Sequence, residues 1–262
     1  MYEMIKLEMD GPVARLTLNR PDRANSMTMS MGKELGAAMA EVRAASDVRV
    51  MVLTGAGRYF CAGADMAEFE RLQSSPPSEV ETAVRVFLDA IGAMHRLPIP
   101  VIARINGDTY GGGIGLALAC DLRIMAVDAR MGFTFLRVGL SGADAGVSYF
   151  LPRIVGPAQA TEILLLGKVV GGETAVQMGL VHRAVSSEEL DNVTEKLVGQ
   201  LAVGPPIATR YTKDGLINSL ARSMDEAFDF EAQVQTACMM TADHREGVHA
   251  FQEKRKPLFT GE

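Results

Sequence analysis

The chain has 262 residues, 48% hydrophobic and 22% charged, which at roughly 100–200 residues per domain means one large domain or one with an appendage. This composition excludes a disordered, collagenous or coiled-coil chain and describes a globular protein that buries roughly 70% of its unfolded surface. The net charge of −6, from 26 Lys plus Arg against 32 Asp plus Glu, argues against non-specific binding to nucleic acid or membranes, so an anionic ligand needs a local basic patch.

The opening MYEMIKLEMD places Glu3 and Glu8 where a signal peptide needs an unbroken apolar core. The best apolar run, from Ile114, is interrupted by Asp121 and Arg123, so neither export nor a membrane span is expected and a cytoplasmic location fits. Residues 3–9 and 12–19 are β-rich around Asp10-Gly11, a dipeptide that supplies the positive φ angles of a tight hairpin. Ser30 then precedes a segment in which Met31, Leu35, Met39 and Val42 recur at helical spacing, which predicts an amphipathic helix with Ser30 as its N-cap. VRVMVLTG (48–55) is a continuous apolar run, as expected of a strand buried on both faces of a parallel sheet.

The alternation continues with a helix near 80–95, a strand at 101–106, a glycine-rich loop, a helix at 113–119 and a strand at 122–127, which predicts an α/β core. Beyond Val127 helices are expected near 146–153, 157–166, 173–179, 187–202, 206–219 and 223–238, with a short strand at 181–185, so the last third reads as a helical appendage. Ser74-Ser75-Pro76-Pro77-Ser78 is expected to form a mobile loop near a pocket.

Two segments carry candidate chemistry. Gly107-Asp108-Thr109-Tyr110-Gly111-Gly112-Gly113-Ile114-Gly115 follows a strand and opens a helix, where unpaired backbone N–H groups meet a negative oxygen. It lacks the Lys-Ser/Thr of a phosphate-binding loop and the dinucleotide glycine spacing, so its glycines suit either an oxyanion hole or tight helix–strand packing. Tyr59-Phe60-Cys61-Ala62-Gly63-Ala64-Asp65-Met66 offers a second N–H. Cys61 has no histidine near it in sequence and reads as a buried thiol, and Asp65 as a helix-start residue. The three cysteines, Cys61, Cys120 and Cys238, form neither a disulfide framework nor a metal-ligand spacing. His95, near a helix end before Pro98 and Pro100, fits a cation at a helix terminus. Ser141 and Tyr110 are possible donors of unfixed direction.

Taken together these segments resemble the crotonase, or enoyl-CoA hydratase/isomerase, family over nearly the whole chain. Asn19-Arg20-Pro21 with Asn25 is similar to its opening motif, Ala62-Gly63-Ala64-Asp65 to its first oxyanion segment, and Asn106-Gly107 with Gly111-Gly112-Gly113 to its second. Cys120-Asp121, Leu151-Pro152-Arg153 with Val155-Gly156, Met178-Gly179-Leu180-Val181, and the closing Glu246-Gly247, Ala250-Phe251 and Glu253-Lys254-Arg255 with Pro257 follow in the family's order. The resemblance implies a crotonase-like ββα spiral core over 1–200 and a helical trimerisation region over 201–262. It also implies an acyl-CoA substrate, homotrimers or hexamers, no permanently bound cofactor beyond the coenzyme A of the thioester, and no metal. Ala64 and Gly112 would offer their N–H groups to the thioester oxygen, stabilising an enolate. Arg23, Ala24, Ala62, Asp65 and Met66 match positions that line coenzyme A, and Lys254 lies in a segment that approaches its phosphates; for Arg23 and Lys254 solvated surface charge is the competing reading.

The chain departs from the hydratase pattern. The two glutamates that handle water in the family's hydratases fall here on Gly115 and on Phe135 or Leu136, none of which moves a proton. Asp144, in Gly142-Ala143-Asp144-Ala145-Gly146 and seven residues before Leu151, resembles instead the catalytic aspartate of the family's isomerases and the nucleophile of its dehalogenases. Near Phe133, Phe135, Leu136 and Leu140 its pKa should be raised, which suits a proton shuttle; the alternative is an N-cap for a helix beginning around Ala145. The expectation is double-bond isomerisation of an enoyl-CoA through Asp144. The alternatives are hydration, hydrolysis or dehalogenation in the same pocket, or non-catalytic binding of an acyl-CoA.

Overall fold

The structure, a computed structural model, describes residues 2–262. β1 (Ile5–Asp10) and β2 (Val13–Leu18) form the expected hairpin, paired from Ile5↔Leu18 to Asp10↔Val13. The two loop residues are therefore Gly11 and Pro12, and Gly11 alone takes a positive φ, +50°. Asp10 belongs to the strand rather than to the turn, because a proline ring cannot follow glycine into positive φ and the loop uses one left-handed residue instead of two.

α1 (Met29–Ala44) buries Met31, Leu35, Met39 and Val42 as the periodicity requires. Its cap is Thr28, whose side chain accepts from Met31 N, so the helix starts before the predicted Ser30. β3 (Val50–Gly55) runs parallel to β2 and is buried from Val50 to Leu53. α2 (Met66–Gln73) and α3 (Pro77–His95) follow, so the Ser/Pro stretch is a short connection between two helices and its second half is the first turn of α3. Proline is tolerated there because a first-turn residue has no N–H partner to lose.

β4 (Val101–Ile105), the two-residue β5 (Thr109–Tyr110), α4 (Gly112–Ala119) and β6 (Leu122–Ala126) complete the core alternation. Next come β7 (Arg130–Gly132), α5 (Val147–Val155), α6 (Pro157–Leu166), β8 (Val169–Gly171), α7 (Gly172–Gln177) and β9 (Arg183–Val185). The main sheet has the order β1-β2-β3-β4-β6-β9, parallel throughout except for the hairpin, and a second sheet has the order β5-β7-β8. The strands of the second sheet are two or three residues long, too short to show an apolar alternation in the sequence.

The chain ends in α8 (Ser187–Ala202), α9 (Pro206–Asn218), α10 (Met224–Met239) and α11 (Ala242–Glu253). α11 was absent from the expected elements: its only buried residues are Asp243 and Ala250, so no apolar stripe marks it. Its start is held by Thr241, which caps His244 N. Among the described residues no helix is long and apolar enough to cross a membrane.

Candidate active site

Two loops meet at the carboxyl ends of β3 and β4, the edge at which open parallel sheets place their ligands. Asn106 joins them: its Oδ1 accepts from Gly55 N at 3.0 Å and its Nδ2 donates to Gly57 O at 2.9 Å. Further along, Tyr110 N donates to Cys61 O at 2.9 Å. The approach then tightens until a Cβ on Gly63 would lie 2.9 Å from Tyr110 O and 3.5 Å from Gly111 Cα, so both glycines are needed for backbone to pass backbone.

The peptide groups on each side of Ala64 are bonded to Met27, with Met27 N donating to Gly63 O at 2.7 Å and Asp65 N donating to Met27 O at 2.9 Å. In extended backbone alternate residues face opposite ways, so the N–H of Ala64 turns away from Met27. Gly112 is the first residue of α4, where no intrahelical acceptor exists for its N–H. Neither N–H has a partner among the described residues. Met27 touches both segments, because its Cε would lie 2.8 Å from a Cβ on Gly112. The structure thus brings Ala64 and Gly112 to one place with two free donors, the arrangement that stabilises negative charge on an acyl oxygen.

Asp144 lies on the turn packed against that helix. Ala145 Cβ is 3.8 Å from the position of a Cβ on Gly112, and Ala145 O is only 2.1 Å from that of a Cβ on Gly115. The half-buried Asp144 carboxyl has its pKa raised by burial, partly opposed by a 2.8 Å bond in which its Oδ1 accepts from Ala145 N. It is not the helix cap: α5 begins at Val147 behind Gly146, and no side chain caps it. Ala145 and Gly146 intervene at φ +48° and +75°, which turns the chain between Asp144 and the helix.

The residues matched to coenzyme A positions separate into groups. Ala24, at φ +49°, and Ala62 are joined by a 2.9 Å bond from Ala62 N to Ala24 O, next to the first donor. Arg23 and Met66 are exposed close by in the chain, Met66 as the first residue of α2. Asp65 caps α2 through Ala67 N, as a helix-start residue should. Burial raises its pKa, but bonds from Arg20, Ser26 and Ala67 N outweigh this and hold the carboxyl below its ordinary value. With Arg20 at 2.9 Å and Ser26 at 3.0 Å, Asp65 ties down the segment that carries the Ala64 donor. Lys254 is exposed at the C-cap of α11, in a segment bonded to itself through Arg255 and Glu246, and no described hydrogen bond joins it to the donors.

Cys61 is buried, and burial pushes its thiol up to about 12, as an inert thiol requires. Tyr110 OH donates to Asp108 at 3.2 Å, while Ser141 Oγ accepts from Ala143 N at 3.0 Å. His95 is the last residue of α3, at a helix end as expected. Burial lowers its pKa, and its Nδ1 sits 3.2 Å from Ala119 O at the end of a different helix. Among the described residues no group of three or more His, Cys, Asp or Glu is placed to hold a metal. Sequence reasoning missed Met27 and Ala145, small or apolar residues whose role is contact between distant segments.

The pattern of the enoyl-CoA hydratase/isomerase family matches residues 8–262, and the chain belongs to that family. It is 34% identical over 262 residues, the full length of both chains, to the 1,2-epoxyphenylacetyl-CoA isomerase of Escherichia coli K12. Among solved structures it is similar to an enoyl-CoA hydratase from Bacillus anthracis, with a TM-score of 0.94 and 33% identity over 99% of this chain and 100% of that one. It is also similar to an enoyl-CoA hydratase from Mycobacterium smegmatis, with a TM-score of 0.91 and 32% identity over 98% and 99%.

Proposed function

We propose that this acyl-CoA enzyme is an isomerase in which Asp144 moves a proton between carbons of an enoyl-CoA. The ionised carboxylate takes a proton from the carbon next to the thioester carbonyl, and the C–H electron pair passes into an enolate whose oxygen accepts from Ala64 and Gly112 N–H. The protonated carboxyl then returns the proton at the γ-carbon as the double bond moves. The enolate is stabilised by several kcal/mol relative to the same charge in water, and a carboxyl with a raised pKa is suited to both halves of the transfer.

The observation that carries this reading is the packing of the Asp144 turn against α4: Ala145 backbone fills the space beside Gly115, where the hydratase pattern would set a glutamate. The relatives' names divide between isomerase and hydratase, so the site residues carry the choice. Arg23, Ala24, Ala62, Asp65 and Met66 would line the coenzyme A, with Lys254 approaching its phosphates. Exposed Leu216, Leu220, Phe228 and Phe251 on and between α9 to α11 support a homotrimer or paired trimers, which light scattering tests.

The test is mass-spectrometric uptake of deuterium from heavy water into a panel of acyl- and enoyl-CoAs, with a parallel arm in oxygen-18 water. The native protein should exchange deuterium and incorporate no heavy oxygen, and Asp144→Asn should do neither. Heavy oxygen in the product would move the assignment to hydration or hydrolysis. Binding of the whole panel without exchange would move it to a carrier.

A further inference from the structure

Helix α4 has eight residues and so spans about 12 Å. Its first residue carries the Gly112 donor. Its last, Ala119, presents a carbonyl with no intrahelical donor, and His95 Nδ1 lies 3.2 Å from that oxygen. A carbonyl only accepts, so Nδ1 carries the proton. Burial lowers the His95 pKa, Lys213 and Arg96 act in the same sense, and the Ala119 bond and Asp121 oppose them.

The same imidazole meets Phe150 of α5, with ring centroids 4.9 Å apart and planes at 62°. Phe150 is 8% exposed and closes on the Asp144 turn from behind: a Cβ on Gly146 would come within 2.7 Å of Phe150 Cε2. The turn between is a left-handed pair, Ala145 at φ +48° and Gly146 at φ +75°, a conformation that costs energy for alanine and persists only when its surroundings hold it. Its other side rests on Gly115 of α4. A closed path therefore runs from Gly112 along α4 to Ala119, across His95 and Phe150 to Gly146, and through Ala145 back to α4.

We propose that His95 is a positioning residue, which braces the Asp144 turn through the Phe150 ring while it anchors the far end of the helix that carries the Gly112 donor. The proposal rests on the reading of Asp144 as the proton-transfer group. One imidazole supplies both an N–H that holds the end of the helix and an aromatic face for the ring, and the separation of carboxylate and donor depends on the ring contact. A small displacement of such a pair is enough to slow turnover by an order of magnitude or more.

Two variants divide these contacts. His95→Asn keeps a donor in place of Nδ1 and removes the ring; His95→Phe keeps the ring and removes the donor. His95→Asn should lower kcat for deuterium exchange about tenfold with KM unchanged. It should also lower the titration midpoint of the Asp144 carboxyl, followed by carbon-13 NMR and assigned by its loss in Asp144→Asn, by about 0.5 pH unit as water reaches the loosened turn. His95→Phe should keep kcat within about twofold of native while melting at a lower temperature. An unchanged kcat and carboxyl titration in His95→Asn would overturn the proposal, as would an equal loss of kcat in His95→Phe. If the native protein exchanges no member of the panel, the isomerase reading fails and the titration decides alone: a lowered midpoint in His95→Asn sustains the brace, and an unmoved one overturns it.

Discussion

The carbonyl oxygen of Ala145 lies 2.1 Å from where a Cβ on Gly115 would sit. The turn that carries Asp144 and the helix that carries the Gly112 donor are therefore in backbone contact, and a side chain at position 115 is incompatible with the turn as folded. A glutamate at position 115 and the turn that carries Asp144 therefore exclude each other.

Gly115→Ala should consequently cost about 2–3 kcal/mol, because the added carbon meets backbone rather than the end of a flexible side chain. Urea unfolding measures this. Gly115→Glu should not gain hydratase activity, since the turn must move before the carboxylate can enter.

Asp144→Asn should abolish proton transfer, a loss of about 10²–10⁴-fold in exchange rate. Its stability should move the other way. The folded pKa of Asp144 is raised, so the native state favours the protonated carboxyl and loses stability as pH rises through that folded pKa. The variant should therefore melt no lower than the native protein at pH 7, with its relative advantage shrinking as pH falls toward 3.8, the ordinary value. Melting curves across that range check the sign.

Lys213, 7% exposed on α9, ties the helical region to the core. Its Nζ donates to Asp121 at 2.7 Å and to Ile99 O at 2.9 Å, and the same Asp121 oxygen accepts from Val101 N at 2.7 Å. Lys213→Met should destabilise by about 3 kcal/mol by leaving a partly buried carboxylate without its cation. Adding Asp121→Asn should recover part of this loss, and a double-mutant cycle in urea reads the coupling.

Arg20→Ala should loosen the first donor segment and raise KM for an acyl-CoA, with a stability loss of about 1–2 kcal/mol for this partly exposed pair. The pKa of Asp65 is held below 3.8 in the folded state, so its contribution is present above 3.8 and disappears as pH falls through the depressed value. The gap between variant and native protein should close over that same range, which thermal melts at stepped pH would show.

The sequence by itself determined the parallel core, the hairpin, most helices and the two glycine-containing segments that carry the Ala64 and Gly112 donors, because each is a local pattern: apolar runs, helical periodicity, or glycine after a strand. It also marked Asp144 as the available carboxylate, by spacing and resemblance. The tertiary structure decided what those residues touch. α11 lacks an apolar stripe that would mark it, and β5, β7 and β8 are too short to show a period, so only their pairing reveals those strands. Thr28 displaced Ser30 as the cap of α1 because the choice depends on which side chain reaches Met31 N. The site shows the same limit. Met27 between the donors, Ala145 against Gly115, and His95 with one nitrogen on α4 and its ring on Phe150 are contacts between segments far apart in the chain, and a local pattern carries no record of them.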